Sequence, residues 1–133
     1  MKKTLLLLLL LPFCFAAAAE GAIDRAWVER NYRKTEYRIP MRDGVRLHTT
    51  VYAPAGRHPI LLTRTPYSCR PYGAEFSASL WKSFLKLYLE EGYILVFQDV
   101  RGRYMSEGEY VDLRPFIADK HSPEQIDEAS DAY

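Results

Sequence analysis

The 133-residue sequence is short of most features that announce a cofactor or a charged partner. Cysteine occurs twice, at Cys14 and Cys69, and Cys14 falls in an N-terminal stretch with the form of a leader. Without that stretch Cys69 stands alone, so an internal disulfide is excluded and the thiol reads as a quiet, half-buried residue. No cluster of His, Cys, Asp and Glu has metal-ligand spacing, so no metal and no other cofactor is expected. Neither sign of charge prevails, with 18 Lys and Arg against 17 Asp and Glu. The arginines are scattered among acids, which excludes a basic stripe for nucleic acid or an anionic membrane surface. Internal repeats and low-complexity tracts are missing outside the leader. No apolar run reaches the roughly 20 residues that a membrane span needs.

The leader itself has three parts. Met1-Lys2-Lys3 is a basic start, Leu5 to Leu11 an apolar run continued by Phe13, Cys14 and Phe15, and Ala16 to Ala19 offer small residues for cleavage before Glu20. This is the pattern of a secretory signal peptide over residues 1–19, so export to the periplasm or the extracellular space is expected, with no membrane association after cleavage. Bulky Phe13 stands before Cys14 where a lipoprotein signal wants a small residue. Removal of Lys2 and Lys3 leaves 16 basic against 17 acidic residues, a nearly neutral chain.

What remains allows one domain at most. The full sequence, with 48% apolar and 26% charged residues, is ordinary for a globular protein, and its ten tyrosines and six phenylalanines, four of them after the leader, can supply a core. Residues 20–35 mix charges and aromatics and read as a lead-in segment with a short helical turn. Order is expected from Tyr37 onward. Asp43-Gly44 is a hairpin signal for a tight two-residue turn. Beyond it Val45, Leu47, Thr49 and Val51 alternate with Arg46, His48, Thr50 and Tyr52, the period of a half-buried antiparallel strand. Pro59 to Arg64 reads as an apolar strand covered on both faces, and residues 65–76 as a loop.

Ser77 to Glu91 carries Leu80, Trp81, Phe84, Leu85, Tyr88 and Leu89 at helical spacing, with Ser77 or Ser79 as N-cap and Gly92 as the stop. Such a stripe is core packing, not chemistry. Tyr93 to Val100 is a second continuous strand. Strand, helix, strand makes a βαβ unit and a sheet that is at least partly parallel. Residues 109–122 read as a surface excursion, and Ser122-Pro123-Glu124-Gln125 predicts a helix starting near Pro123. Four strands leave raw sheet edges, so residues 36–133 are expected to be the front portion of a longer α/β domain. Whether the chain continues past Tyr133, its oligomeric state and whether it folds alone stay open.

In parallel α/β sheets ligands sit beyond the carboxyl ends of the strands. Two loops leave such ends, Thr65-Pro66-Tyr67-Ser68 and Asp99-Val100-Arg101-Gly102-Arg103. With DGVRLHTTVYAP, PILLTRTPYS and FQDVRGRYMSEGEY in this order, residues 36–133 resemble the start of an α/β-hydrolase of the X-Pro dipeptidyl-peptidase and cocaine esterase type, a grouping that includes α-amino acid ester hydrolases and glutaryl acylases. The resemblance implies the N-terminal part of an α/β-hydrolase fold, an early antiparallel hairpin followed by βαβ. It also implies a serine hydrolase with a Ser–Asp–His triad and a tyrosine oxyanion donor at the position of Tyr67. A phenol keeps its proton near neutral pH, and one donor aimed at a developing oxyanion is worth about 3 kcal/mol of barrier.

Asp99, Arg101 and Gly102 are expected to shape the rim of that site, Arg101 pairing with Asp99 or Glu107. The departure from the family is that no G-x-S-x-G nucleophile elbow occurs in the sequence. Ser106 comes nearest, with Gly108 at +2 but Tyr104 at −2. His48, His58 and His121 match no general base and read as exposed or strand-face residues. EASDAY resembles the segment before the helix that leads into the elbow strand. The expectation is the N-terminal portion of an exported serine hydrolase that cleaves ester, amide or X-Pro peptide bonds in a small-molecule or peptide substrate. By itself the 133-residue chain is expected to be inactive. A truncated product without catalysis and a small exported binding module are the alternatives.

Overall fold

The computed structural model describes residues 22–132, so the expected leader and Tyr133 lie outside the described residues. Helix α1 (Arg25–Asn31) begins where Asp24 accepts the Trp27 amide at 2.7 Å as N-cap, and it buries Val28. Strand β1 (Arg33–Pro40) follows at once, so the lead-in segment already contains a helix and the start of the sheet. Its polar residues hid it. Lys34 turns inward and donates to the Pro71 and Glu75 carbonyls at 2.6 and 2.8 Å, and Glu36 accepts the Gly73 amide, so charged side chains pin the strand to the loop above it.

β1 pairs antiparallel with β2 (Arg46–Ala53) from Arg33↔Ala53 to Pro40↔Arg46. The hairpin stands as read, but its loop is longer than two residues. Met41 and Val45 are bonded at 2.8 Å, the Gly44 amide reaches the Met41 carbonyl, and Gly44 takes φ +84°. That is a three-residue connection with glycine in the left-handed position.

β3 (Ile60–Thr65), α2 (Ser79–Lys82), α3 (Leu85–Glu90) and β4 (Ile94–Asp99) form the βαβ unit, β3 and β4 being parallel. The expected single helix breaks at Ser83, whose backbone is extended. Its hydroxyl donates to the Ser79 carbonyl at 2.7 Å and accepts the Leu85 amide at 3.2 Å, closing one helix and opening the next. Gly92, with φ +75°, ends α3 in a paired C-terminal motif: its amide meets the Leu89 carbonyl and the Tyr93 amide meets Tyr88. The apolar stripe is core as expected, since Leu80, Leu85 and Leu89 pack with Val28, Tyr32, Tyr52 and Leu95.

The strand order is β1-β2-β4-β3, a mixed sheet in which β2 and β4 run antiparallel. Register puts Thr50 and Tyr52 on one face with Leu95, Phe97, Leu61 and Thr63. Helices α1 to α3 cover this face. The other face carries Ile60 and Leu62, which stay 64% and 45% exposed, so β3 is not covered on both sides among the described residues. Among the described residues it is an edge strand, as β1 is at the other side, and β4 is its one neighbour.

Past Asp99 the chain makes its excursion and returns in α4 (Glu128–Ala132), not in a helix from Pro123. Gln125 folds its side chain back onto the His121 and Ser122 amides, leaving a turn. The cap that starts a helix is Asp127, whose carboxylate accepts the Ser130 amide at 2.9 Å while the Ser130 hydroxyl accepts the Asp127 amide at 3.2 Å.

Candidate functional site

Parallel register places Thr65 beside Asp99, so the carboxyl ends of β3 and β4 open at the same level. Both loops named from the sequence therefore leave the sheet side by side. The first loop is anchored on either side of Tyr67. The Thr65 hydroxyl accepts the Tyr67 amide at 3.0 Å, and the Pro66 carbonyl accepts from the Arg103 guanidinium at 3.3 Å. Ser68 takes φ +86°, a left-handed conformation that costs a non-glycine residue about 1 kcal/mol or more. The Tyr67 side chain itself is 83% exposed. It stands clear of the sheet end with its backbone held and its ring presented outward.

Asp99 is fully buried beneath this loop. Its Oδ1 accepts the Cys69 amide at 2.8 Å, its Oδ2 the Tyr72 hydroxyl at 2.8 Å, and the Met105 amide lies 3.5 Å from Oδ2. The Tyr72 hydroxyl is also 3.0 Å from the Ser68 hydroxyl. Burial, with the neighbouring Asp99 charge, pushes the Cys69 thiol up to about 11, so it stays protonated. Burial likewise raises the Tyr72 phenol to about 12. A cleft of about 230 Å³ lies beside the loop, lined by Thr63, Thr65, Ser68, Cys69, Arg70 and Ser77 among others.

Arg101 is buried too, but it pairs with neither of the carboxylates expected. Its guanidinium meets Asp131 at 2.6 and 3.0 Å and Asp43 at 2.7 and 3.1 Å. Asp99 is turned the other way, into the 69–72 loop, and Glu107 is taken by the Arg46 amide and Arg38. The Asp131 hydrogen bonds lead, with Asp43 adding to them and burial opposing, in making the Arg101 proton still harder to remove. Gly102 has φ +68°, and a Cβ there would lie 2.1 Å from the Tyr110 amide nitrogen, so the excursion packs directly on its backbone.

Ser106 is an anchor: its hydroxyl donates to the Asp99 carbonyl at 2.6 Å and accepts the His48 amide at 2.8 Å. His48 lies on the strand face as read, but buried, edge-on to Tyr72 at 5.0 Å. His58 sits near the Ala55 carbonyl, and exposed His121 uses its amide on Gln125, so neither reaches the two strand-end loops. Among the described residues no group of three or more His, Cys, Asp or Glu side chains could hold a metal, and no helix is long and apolar enough to cross a membrane. Tyr72, the strained Ser68 and the Cys69 amide were not visible as site features in the sequence. A backbone donor leaves no residue signature, and Tyr72 is one tyrosine among ten.

Residues 43–133 match the family of X-Pro dipeptidyl-peptidases (S15 family). The chain belongs to that family. Its match begins at Asp43 in the hairpin loop and runs through both strand-end loops and α4. Among curated relatives, the cocaine esterase of Rhodococcus sp. (strain MB1 Bresler) is 38% identical over 103 residues, 73% of this chain and 16% of that protein. A solved α-amino acid ester hydrolase is 40% identical with a TM-score of 0.63, covering 91% of this chain and 20% of its own. A solved aminopeptidase from a marine sediment Thaumarchaeota archaeon is 37% identical, also at 0.63, over 77% and 18%. The fold is thus the mixed α/β arrangement of α/β-hydrolase-like proteins, and the chain is related to esterase- and peptidase-type hydrolases. It spans about a fifth or less of the length of these relatives.

Proposed function

We propose that this chain supplies the front of the catalytic domain of an exported serine hydrolase acting on acyl bonds: an ester, an amide or an X-Pro peptide bond. In this reading a serine lying outside these 133 residues attacks the substrate carbonyl, with an acid and a histidine that are equally outside them. The Tyr67 hydroxyl donates to the oxygen as it becomes an oxyanion, beside the backbone amide that follows the serine. Residues 1–19 direct export. The 133 residues alone, without a G-x-S-x-G elbow, turn over no ester.

The observation that supports this is the contrast at Tyr67. Its ring is 83% exposed at the carboxyl end of a parallel strand, while the backbone on both sides is fixed by Thr65, Arg103 and Asp99. An oxyanion donor has to be free to meet substrate yet cost no reorganisation when charge develops. The test joins residues 20–133 to the remainder of the α-amino acid ester hydrolase fold and measures ester turnover. Tyr67→Phe is expected to lower kcat about 10²-fold with KM little changed. Retention of kcat within about twofold would end the assignment.

A further inference from the structure

Resting on the reading of Tyr67 as oxyanion donor, we propose that Asp99 is its positioning residue, acting through the Cys69 amide and a Tyr72–Ser68 hydroxyl relay. Asp99 touches no substrate in this arrangement. It is fully buried and spends both carboxylate oxygens on the loop that carries Tyr67: Oδ1 on the Cys69 amide and Oδ2 on the Tyr72 hydroxyl, each at 2.8 Å. Tyr72 passes the restraint back along the chain, because its hydroxyl is 3.0 Å from that of Ser68. Ser68 is thereby gripped at its own side chain and, one residue on, at the Cys69 amide.

The strain at Ser68 gives these bonds a purpose beyond filling a buried acceptor. A serine at φ +86° relaxes toward ordinary backbone unless its surroundings hold it. Relaxation at residue 68 would swing the Tyr67 ring, because the two share a peptide unit. The strand side of Tyr67 is fixed separately, by its own amide on the Thr65 hydroxyl at 3.0 Å and by Val100 bonded to the Thr65 carbonyl at 3.1 Å. Asp99 and Thr65 face each other in the parallel register, so one rung of the sheet supplies both anchors. The aim of the Tyr67 hydroxyl is therefore set by two strand-end residues and not by the ring's own contacts.

The chimera described above decides this with Asp99→Asn, Tyr72→Phe and Tyr67→Phe, singly and in pairs with Tyr67→Phe. Asp99→Asn and Tyr72→Phe are each expected to lower kcat about 10-fold at nearly constant KM, as a displaced donor does. Both losses should vanish when Tyr67 is already phenylalanine. Losses of the same size in the Tyr67→Phe background, or no loss from either single change, would overturn the positioning role while leaving Tyr67 intact as donor. A harmless Tyr67→Phe would overturn the functional reading and this inference together. Should Asp99→Asn fail to fold, Tyr72→Phe carries the test, since it removes one hydroxyl and keeps the ring's packing.

Discussion

The Arg101 guanidinium lies 2.6 Å from an Asp131 carboxylate oxygen, joining the loop after β4 to helix α4 across 30 residues of chain. The same guanidinium grips Asp43 at the tip of the β1–β2 hairpin at 2.7 Å. One planar fork thus ties three segments together, with both aspartates largely buried around it. Removing it leaves two carboxylates in a poorly hydrated site. Arg101→Ala is expected to cost about 3–5 kcal/mol of stability, and Arg101→Lys to recover part of it, because an ammonium cannot bridge both partners bidentately. Urea denaturation of both variants checks this, and a loss below about 1 kcal/mol for Arg101→Ala would show the carboxylates to be well solvated.

What the sequence disclosed and what it hid divide along a physical line. Periodicity revealed β2 and the apolar stripe of α2 and α3, and continuous apolar runs revealed β3 and β4, because burial writes itself into residue type. It missed β1 before Tyr37, where inward-facing Lys34 and Glu36 bond to the loop over residues 71–75. It placed a helix at Pro123, where Gln125 turned its amide back onto the chain. The level at which β3 and β4 end followed from the βαβ order alone, and the loops that start after Thr65 and Asp99 leave the sheet there. The partners of Arg101 and Asp99 were not readable: Arg101 reaches Asp43 and Asp131, which are distant in sequence, and Asp99 holds a backbone amide that any residue could supply.

Gly102 tests the packing of the excursion. A methyl group there would sit 2.1 Å from the Tyr110 nitrogen and 2.4 Å from the Glu109 carbonyl carbon, and φ +68° is strained for alanine in any case. Gly102→Ala should cost about 3 kcal/mol and move residues 109–110 off the loop. Amide chemical shifts at Glu109 and Tyr110 are the readout. Unchanged shifts with unchanged stability would mean that the excursion does not rest on Gly102 in solution.

Cys69 tests whether the loop stays closed. With its pKa raised to about 11, first by burial and then by the Asp99 charge, only about one thiol in a thousand is ionised at pH 8. In the chain from residue 20 onward it is the one cysteine. A disulfide reagent at pH 8 should label it slowly in the native protein and rapidly in urea. Stoichiometric labelling within seconds under native conditions would show that the Asp99–Cys69 contact opens readily.

Acid should loosen the excursion before it disturbs the sheet. The Lys120 ammonium, 2.7 Å away, leads in holding the Asp127 carboxyl well below the usual carboxylate range, and the Ile117 and Ser130 amides add to this. At Asp43 burial pushes upward, but the Arg101 hydrogen bond and the Val45 amide outweigh it and leave that pKa lowered as well. Both groups bind a proton more weakly when folded than when unfolded. Their stabilisation is therefore complete above the ordinary carboxylate pKa of about 4 and is lost as pH falls from there through the lower folded values. The urea midpoint should stay level from pH 7 to about pH 5 and fall steadily below about pH 4. Asp127→Asn removes one of the two groups, so its midpoint should start lower and fall less steeply. A slope identical to that of the unchanged protein would mean that Asp127 titrates alike in the folded and unfolded chain.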